Sequence, residues 1–313
     1  MKRLYLILFF WALAFTTYAQ NEAGPDKVIC KGGSVQIGGP DNGHCYVWDT
    51  APGLTDKNKS DPTVSPTTTT KYKVTVIGQD FSFKRVDEVT VTVVENNAFP
   101  PANAKVVSGA APSNPLGAND YGLTFPENVK VKISACSDGT KWHAILVDLT
   151  GNYSEQVRLL PGVKEVTGPA GNTTAGNFCA QVTDLKSLAH GPVNWYMLAA
   201  VRAHEDVHAT RFKPSLGVVT NQIENLIETI TITDTGQSQQ TAITEIMSSA
   251  DLTIALIQAQ TLWLAEILIE VANDHNPGGP TDIAEKGVVD PMATSICTHA
   301  KTKKWAACGA CPP

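Results

Sequence analysis

The sequence predicts a multidomain chain: an all-β sandwich followed by an α+β domain whose C-terminal half is mainly helical. Three observations predict this class. Residues 22–95 hold short runs rich in Val, Thr and Tyr, separated by Gly, Pro, Asn and Asp. Residues 96–119 are rich in Pro, Ala, Asn and Gly and show little periodicity. After Pro192 the strand-like runs give way to helical periodicity over most of the remaining chain.

The chain opens Met1-Lys2-Arg3, continues apolar from Leu4 to Phe15, and reaches Thr17-Tyr18-Ala19 before Gln20. A basic start, a short apolar core and small residues before a cut describe a signal peptide over residues 1–19, so a secreted or periplasmic protein is expected. No later stretch reads as long and apolar enough to cross a bilayer, and no membrane insertion is expected. Removing the signal takes Lys plus Arg from 24 to 22 against 30 Asp plus Glu, a mature charge near −8. An acidic chain without a basic cluster is a poor ligand for nucleic acid. Seven cysteines suit an oxidising compartment. Cys308-Gly-Ala-Cys311 has redox spacing, but it lies in a Pro-ended tail and not at a helix start, so a structural disulfide role is expected.

In the first domain, residues 20–95, strands are expected at Val28–Ile37, Tyr46–Asp49, Lys71–Ile77 and Val86–Val94. The segments Ala23-Gly24-Pro25-Asp26-Lys27-Val28-Ile29-Cys30, Tyr46-Val47-Trp48-Asp49 and Thr67 to Val76 resemble the PKD-like and Ig-like modules of secreted Bacteroidetes proteins. The resemblance implies a β-sandwich with Trp48 in its core, used as a spacer or adhesive unit. Residues 96–119 read as a linker. The second domain, 120–313, opens with strand patterns at Val129–Ser134, Trp142–Leu149, Tyr153–Leu160 and Phe178–Val182, then helical ones near 194–212, 216–231, 239–272 and 281–301.

His204-Glu205-Asp206-Val207-His208 reads H-E-x-x-H inside the first of those helices. One turn separates the histidines, so both imidazoles leave the same face and can share a Zn²⁺ ion. Met197, Val201, His204 and His208 fall at i, i+4, i+7 and i+11, which puts the pair on the buried stripe, where imidazoles need partners. Glu205 then stands beside the metal as general base.

An open zinc site needs a third protein ligand. Arg211 and Pro214 stand where the H-E-x-x-H-x-x-G-x-x-H continuation needs Gly and His, so that pattern is absent. Glu224 and Glu228 belong to the next expected helix, where Glu228 points nearly opposite the apolar stripe and Glu224 lies on its flank. Glu285 is the first choice, because Val288, Val289, Met292 and Ile296 at +3, +4, +7 and +11 put it at the centre of an apolar face. Glu224, Glu228, Asp282 and the loop residue His275 remain alternatives.

The His204–His208 motif is similar to that of zincin metalloproteases, and gluzincin-like if a glutamate completes it. The resemblance implies His204 and His208 as zinc ligands, Glu205 as catalytic base and acid, and a protein or peptide substrate. Charged Arg202 and Asp206 flank the motif where uncharged residues are usual in that family. The expected function is therefore a secreted zinc-dependent hydrolase, with a secreted binding or adhesion protein carrying a structural metal as the alternative.

Overall fold

The computed structural model describes residues 22–79, 81–95, 99–188 and 192–311. The segment read as a signal peptide lies outside the described residues. The protein is multidomain, with two compact units divided after Val94.

The first unit contains β1 (Lys27–Cys30), β2 (Val35–Gln36), β3 (Cys45–Trp48), β4 (Thr63–Val64), β5 (Thr70–Ile77) and β6 (Lys84–Val94). β3, β5 and β6 run antiparallel in that order, β1 adds parallel to β6, and β2 pairs separately with β4. The period-two pattern of β5 explains its place: Tyr72, Val74 and Val76 are buried while Lys71 and Lys73 face out. Trp48 is buried in this core as expected, and its indole N–H donates to the Lys59 carbonyl at 2.9 Å. The expected strand Val28–Ile37 is broken into β1 and β2. Gly32 adopts φ +86° there, and Gly33 N–H closes a turn on the Cys30 carbonyl at 2.9 Å.

The second unit begins with a 3₁₀ turn, Pro101–Asn103, and continues through β7 (Lys105–Val107), β8 (Gly122–Ser137), β9 (Lys141–Val157), β10 (Lys164–Glu165), α1 (Phe178–Lys186), β11 (Trp195–Tyr196), α2 (Leu198–Glu228), β12 (Thr231–Thr233), α3 (Gln239–Met247), α4 (Ala250–Asp274) and α5 (Pro280–Thr302). β8 and β9 form one long antiparallel hairpin, and the other side of β9 takes β12 antiparallel and β7 parallel. β10 and β11 make a short parallel pair.

Several expectations are corrected here. The segment expected to be a linker is in part core: Phe99 and Ala104 are buried, and Phe99 N–H donates to the Glu224 carboxylate at 2.7 Å. Glu224, read as a flank charge, is buried to receive that bond. The runs Trp142–Leu149 and Tyr153–Leu160 merge into β9. Phe178–Val182 is helical, because Phe178, Gln181, Val182 and Leu185 form an i, i+3, i+4, i+7 stripe in α1. The helices expected at 194–212 and 216–231 are one helix that passes through Pro214. The missing proline N–H is outweighed by the stripe Phe212, Leu216, Val219, Ile223 and Ile227, which stays in phase across it and is buried throughout. The stretch expected as one helix over 239–272 splits instead, since Ser249 caps α4 by accepting Leu252 N–H at 3.1 Å.

α2 joins two cores. Its N-terminal Ala200 and Val201 pack with α1, α5 and the C-terminal tail. Phe212 through Ile227 pack with β8, β9, α3 and α4. Trp263 of α4 is fully buried there, donating to the Phe212 carbonyl at 3.1 Å. Contrary to expectation, α4 is long and apolar enough to cross a membrane by length and composition, with mean hydropathy 1.6. In the second unit its Ala255, Ala259, Trp263 and Ile267 face the core.

Cys308 and Cys311 are both in structural disulfides, though not with each other: Cys308 pairs with Cys179 and Cys311 with Cys297, which staples the tail to α1 and α5. Such bonds are those of a protein folded in an oxidising compartment.

Candidate metal centre

The junction between the two cores falls on His204–Arg211, so α2 presents its histidines where neither apolar layer covers them. His204 and His208 lie one turn apart with ring centroids 5.0 Å apart. His275, the residue that ends α4, brings a third imidazole, with centroids 5.2 Å from His204 and 4.7 Å from His208. One ligand atom from each of the three lies within 4.8 Å of the others.

The hydrogen bonds show which nitrogens remain for a ligand. His204 Nδ1 meets Glu285 Oε1 at 2.5 Å, and His275 Nδ1 meets the Val271 carbonyl at 3.1 Å. Both partners are acceptors, so in the neutral rings each Nδ1 carries the hydrogen and each Nε2 keeps its lone pair. His208 turns Nδ1 toward Asp274 Oδ2 at 3.6 Å, too long for a hydrogen bond, and again leaves Nε2. The Nε2 atoms of His204 and His275 are 3.3 Å apart. Two Zn–N bonds of about 2.05 Å at a tetrahedral angle put their nitrogens roughly 3.3 Å apart, so the spacing fits the ion.

Glu285 takes a different place from the one expected of it. It is buried behind His204, with one oxygen on Nδ1 and the other accepting from the Tyr196 hydroxyl, so it orients a histidine and is not beside the third nitrogen. Tyr196 reaches it from β11. Because α2 is continuous and rises about 1.5 Å per residue, Glu224 and Glu228 stand roughly 24 and 30 Å along it from His208. Asp282 is buried in the first turn of α5, accepting Gly278 N–H at 2.7 Å. Of the alternatives, His275 alone joins the pair.

Glu205 is buried against β8, where Thr124 Oγ1 donates to Oε2 at 2.7 Å. Gly122 makes room for it: a Cβ at that position would stand 2.2 Å from Oε1. Burial pushes the Glu205 carboxyl up, opposed by the Thr124 hydrogen bond and by His204. Burial also works against charge on His204, yet the Glu285 carboxylate raises its pKa overall. His208 is lowered to about 4 by burial, then by the two neighbouring histidines.

Asp274 escaped sequence reasoning. Fully buried, it receives Arg211 through Nε at 3.2 Å and Nη2 at 2.7 Å, which fixes its carboxylate beside His208. Arg211 sits three residues past His208, and that spacing was the available signal. Thr124 and Gly122 had none, since sheet residues reach a helix only through tertiary packing.

No family model matches this chain, and no curated protein matches it. Among solved structures it is similar to the PKD domain of the KIAA 1837 protein, at 26% identity over 23% of this chain and 83% of that one, TM-score 0.20. It is also similar to human protocadherin-24 EC1-2, at 9% identity over 42% of this chain and 95% of that one, TM-score 0.19. A SusE-like surface located polysaccharide binding protein from Bacteroides thetaiotaomicron matches at 11% identity over 45% of this chain and 36% of its own, TM-score 0.19.

Proposed function

We propose that the second unit is a zinc-dependent hydrolase acting outside the cytoplasm on protein or peptide substrates, with His204, His208 and His275 holding the ion and Glu205 as general base. The observation that carries this reading is the convergence of three imidazoles whose Nδ1 atoms are each turned to an acceptor. Three neutral imidazoles are a common donor set for zinc with an open position. When bound, the ion supplies Lewis acidity that acidifies water and polarises a carbonyl.

The chain's own groups supply the rest. Glu205 is a stronger base than an exposed glutamate because burial disfavours its charge. Thr124 holds Oε2, which leaves Oε1 to take a proton from water and return it to the leaving amine. Glu285 holds His204 by a hydrogen bond at Nδ1, and Asp274, anchored by Arg211, stands 3.6 Å from Nδ1 of His208 as its acceptor when an ion draws the ring in.

The test is zinc content by mass spectrometry together with cleavage of a mixed peptide library. One zinc per chain with cleavage that disappears in Glu205→Gln supports the reading. Cleavage retained in Glu205→Gln removes the assigned mechanism. Zinc bound without any cleavage moves the protein to a binding or adhesion role with a structural metal.

A further inference from the structure

A cavity of about 220 Å³ opens beside Glu205. Its walls include Asn119, Asp120 and Tyr121 on the approach to β8, with Tyr196, Val201 and Glu205 opposite. Drug-sized ligands fill roughly 300 Å³ or more, so this space suits one side chain and not a whole small molecule. The partly exposed Tyr121 ring offers its face to an aliphatic stem, backed by the fully buried Tyr196 ring, whose centroid is 5.8 Å away and whose plane is inclined at 59°. Such faces also attract a cation.

The charge of the lining has one dominant sign. Asp120 and Glu205 contribute carboxylates, Glu285 is buried and paired with His204, and among the described residues no Lys or Arg lines the space. Asp120 is exposed at the mouth, where it accepts Gly117 N–H at 2.9 Å. Arg158 lies outside the lining and donates to the carbonyls of Asp120 and Gly117, and so holds the loop that carries Asp120 in place. An anionic group entering here would meet the Asp120 carboxylate at the mouth and Glu205 behind it, whereas a cationic one would add an ion pair to the hydrogen bond that Asp120 accepts from Gly117.

We infer that this cavity receives the positively charged side chain of a Lys or Arg residue beside the bond being cleaved, an assignment that rests on reading His204–Glu205–His208 as the hydrolytic centre. Asp120 provides the countercharge, the Tyr121 ring holds the stem, and the proximity of Glu205 places the adjoining peptide bond at the reacting groups.

The experiment titrates the zinc-loaded full chain with N-acetyl-argininamide and with N-acetyl-citrullinamide, which has the same shape without the charge, following binding by NMR. Arginine amide should bind about tenfold more tightly, a difference worth about 1.4 kcal/mol. That preference should vanish in Asp120→Asn while zinc content is unchanged. Equal affinity for the two compounds, or a preference that survives in Asp120→Asn, overturns the inference. Because the readout is binding, a charge preference in a protein that cleaves nothing supports the cavity assignment and counts against the hydrolase reading alone.

Discussion

Thr124 Oγ1 donates a 2.7 Å hydrogen bond to Glu205 Oε2, tying the H-E-x-x-H helix to β8. The bond favours the ionised carboxylate, while burial favours the neutral acid. A general base works only when deprotonated, so activity should rise with pH through the Glu205 titration. Thr124→Val removes the donor and should move that acid limb to higher pH, with roughly tenfold lower turnover at neutral pH and zinc retained. A pH–rate profile of the two proteins checks this. An unmoved limb would detach Thr124 from the base.

The ligand assignment separates His275 from Glu285. His275→Ala, like His204→Ala and His208→Ala, should lose the zinc. Glu285→Gln and Asp274→Asn should keep it with affinity weakened about 10–100-fold, as befits groups behind the ligands. Competition against a chelating dye measures both. Full-strength zinc binding by His275→Ala together with complete loss in Glu285→Gln would reverse the two roles.

In the metal-free protein, the histidines link stability to pH with opposite signs. His208 is lowered to about 4 from an ordinary 6.5, so below 6.5 the unfolded chain takes up a proton that the folded one refuses. The stability associated with it is present above 6.5 and is lost as pH falls toward 4. His204, raised by Glu285, contributes stability that is present below its unfolded pKa and lost as pH rises through its folded one. Denaturant unfolding in chelator at several pH values should therefore show a loss on acidification from about 6.5 to 4 that is smaller in His208→Ala. Zinc should stabilise less as pH falls, since the ion and protons compete for His204.

Gly151 of β9 lies flat under the indole of Trp263, where a Cβ would stand 2.5 Å from the ring. Trp263 is fully buried and cannot swing away. Gly151→Ala should cost about 1–3 kcal/mol in urea unfolding through overpacking. Gly122→Ala should behave differently. Its clash is with the end of the Glu205 side chain, so the carboxylate should shift, with activity falling more than stability.

Periodicity made much of this legible. The strands around Trp48, the inward phase of His204 and His208, and the inward phase of Glu285 all follow from spacing along one element, and each side chain is buried or half-buried as that spacing requires. What spacing could not supply was the partner across the gap. The spacing turns Glu285 inward, but whether it meets an ion or His204 Nδ1 depends on how α5 docks against α2. His275 sits at a helix terminus, outside any periodic pattern, with Pro277, Gly278 and Gly279 following. Pro214 misled by its local cost, since burial on both sides of it carried the helix through. Phe99 and Ala104 looked like linker because two apolar anchors among prolines and glycines show no period.

Asp274 and His275 are consecutive residues at the end of α4, and they serve two separate jobs on α2: one places a carboxylate beside His208, the other faces His204. Neither job exists until α4 has found α2, and Glu285 adds the same condition for α5. An isolated α2 peptide would offer two loosely held imidazoles and grip an ion poorly. Zinc uptake by this chain is thus a report on its own assembly: the moment of tight capture marks the closing of three helices that begin far apart in sequence.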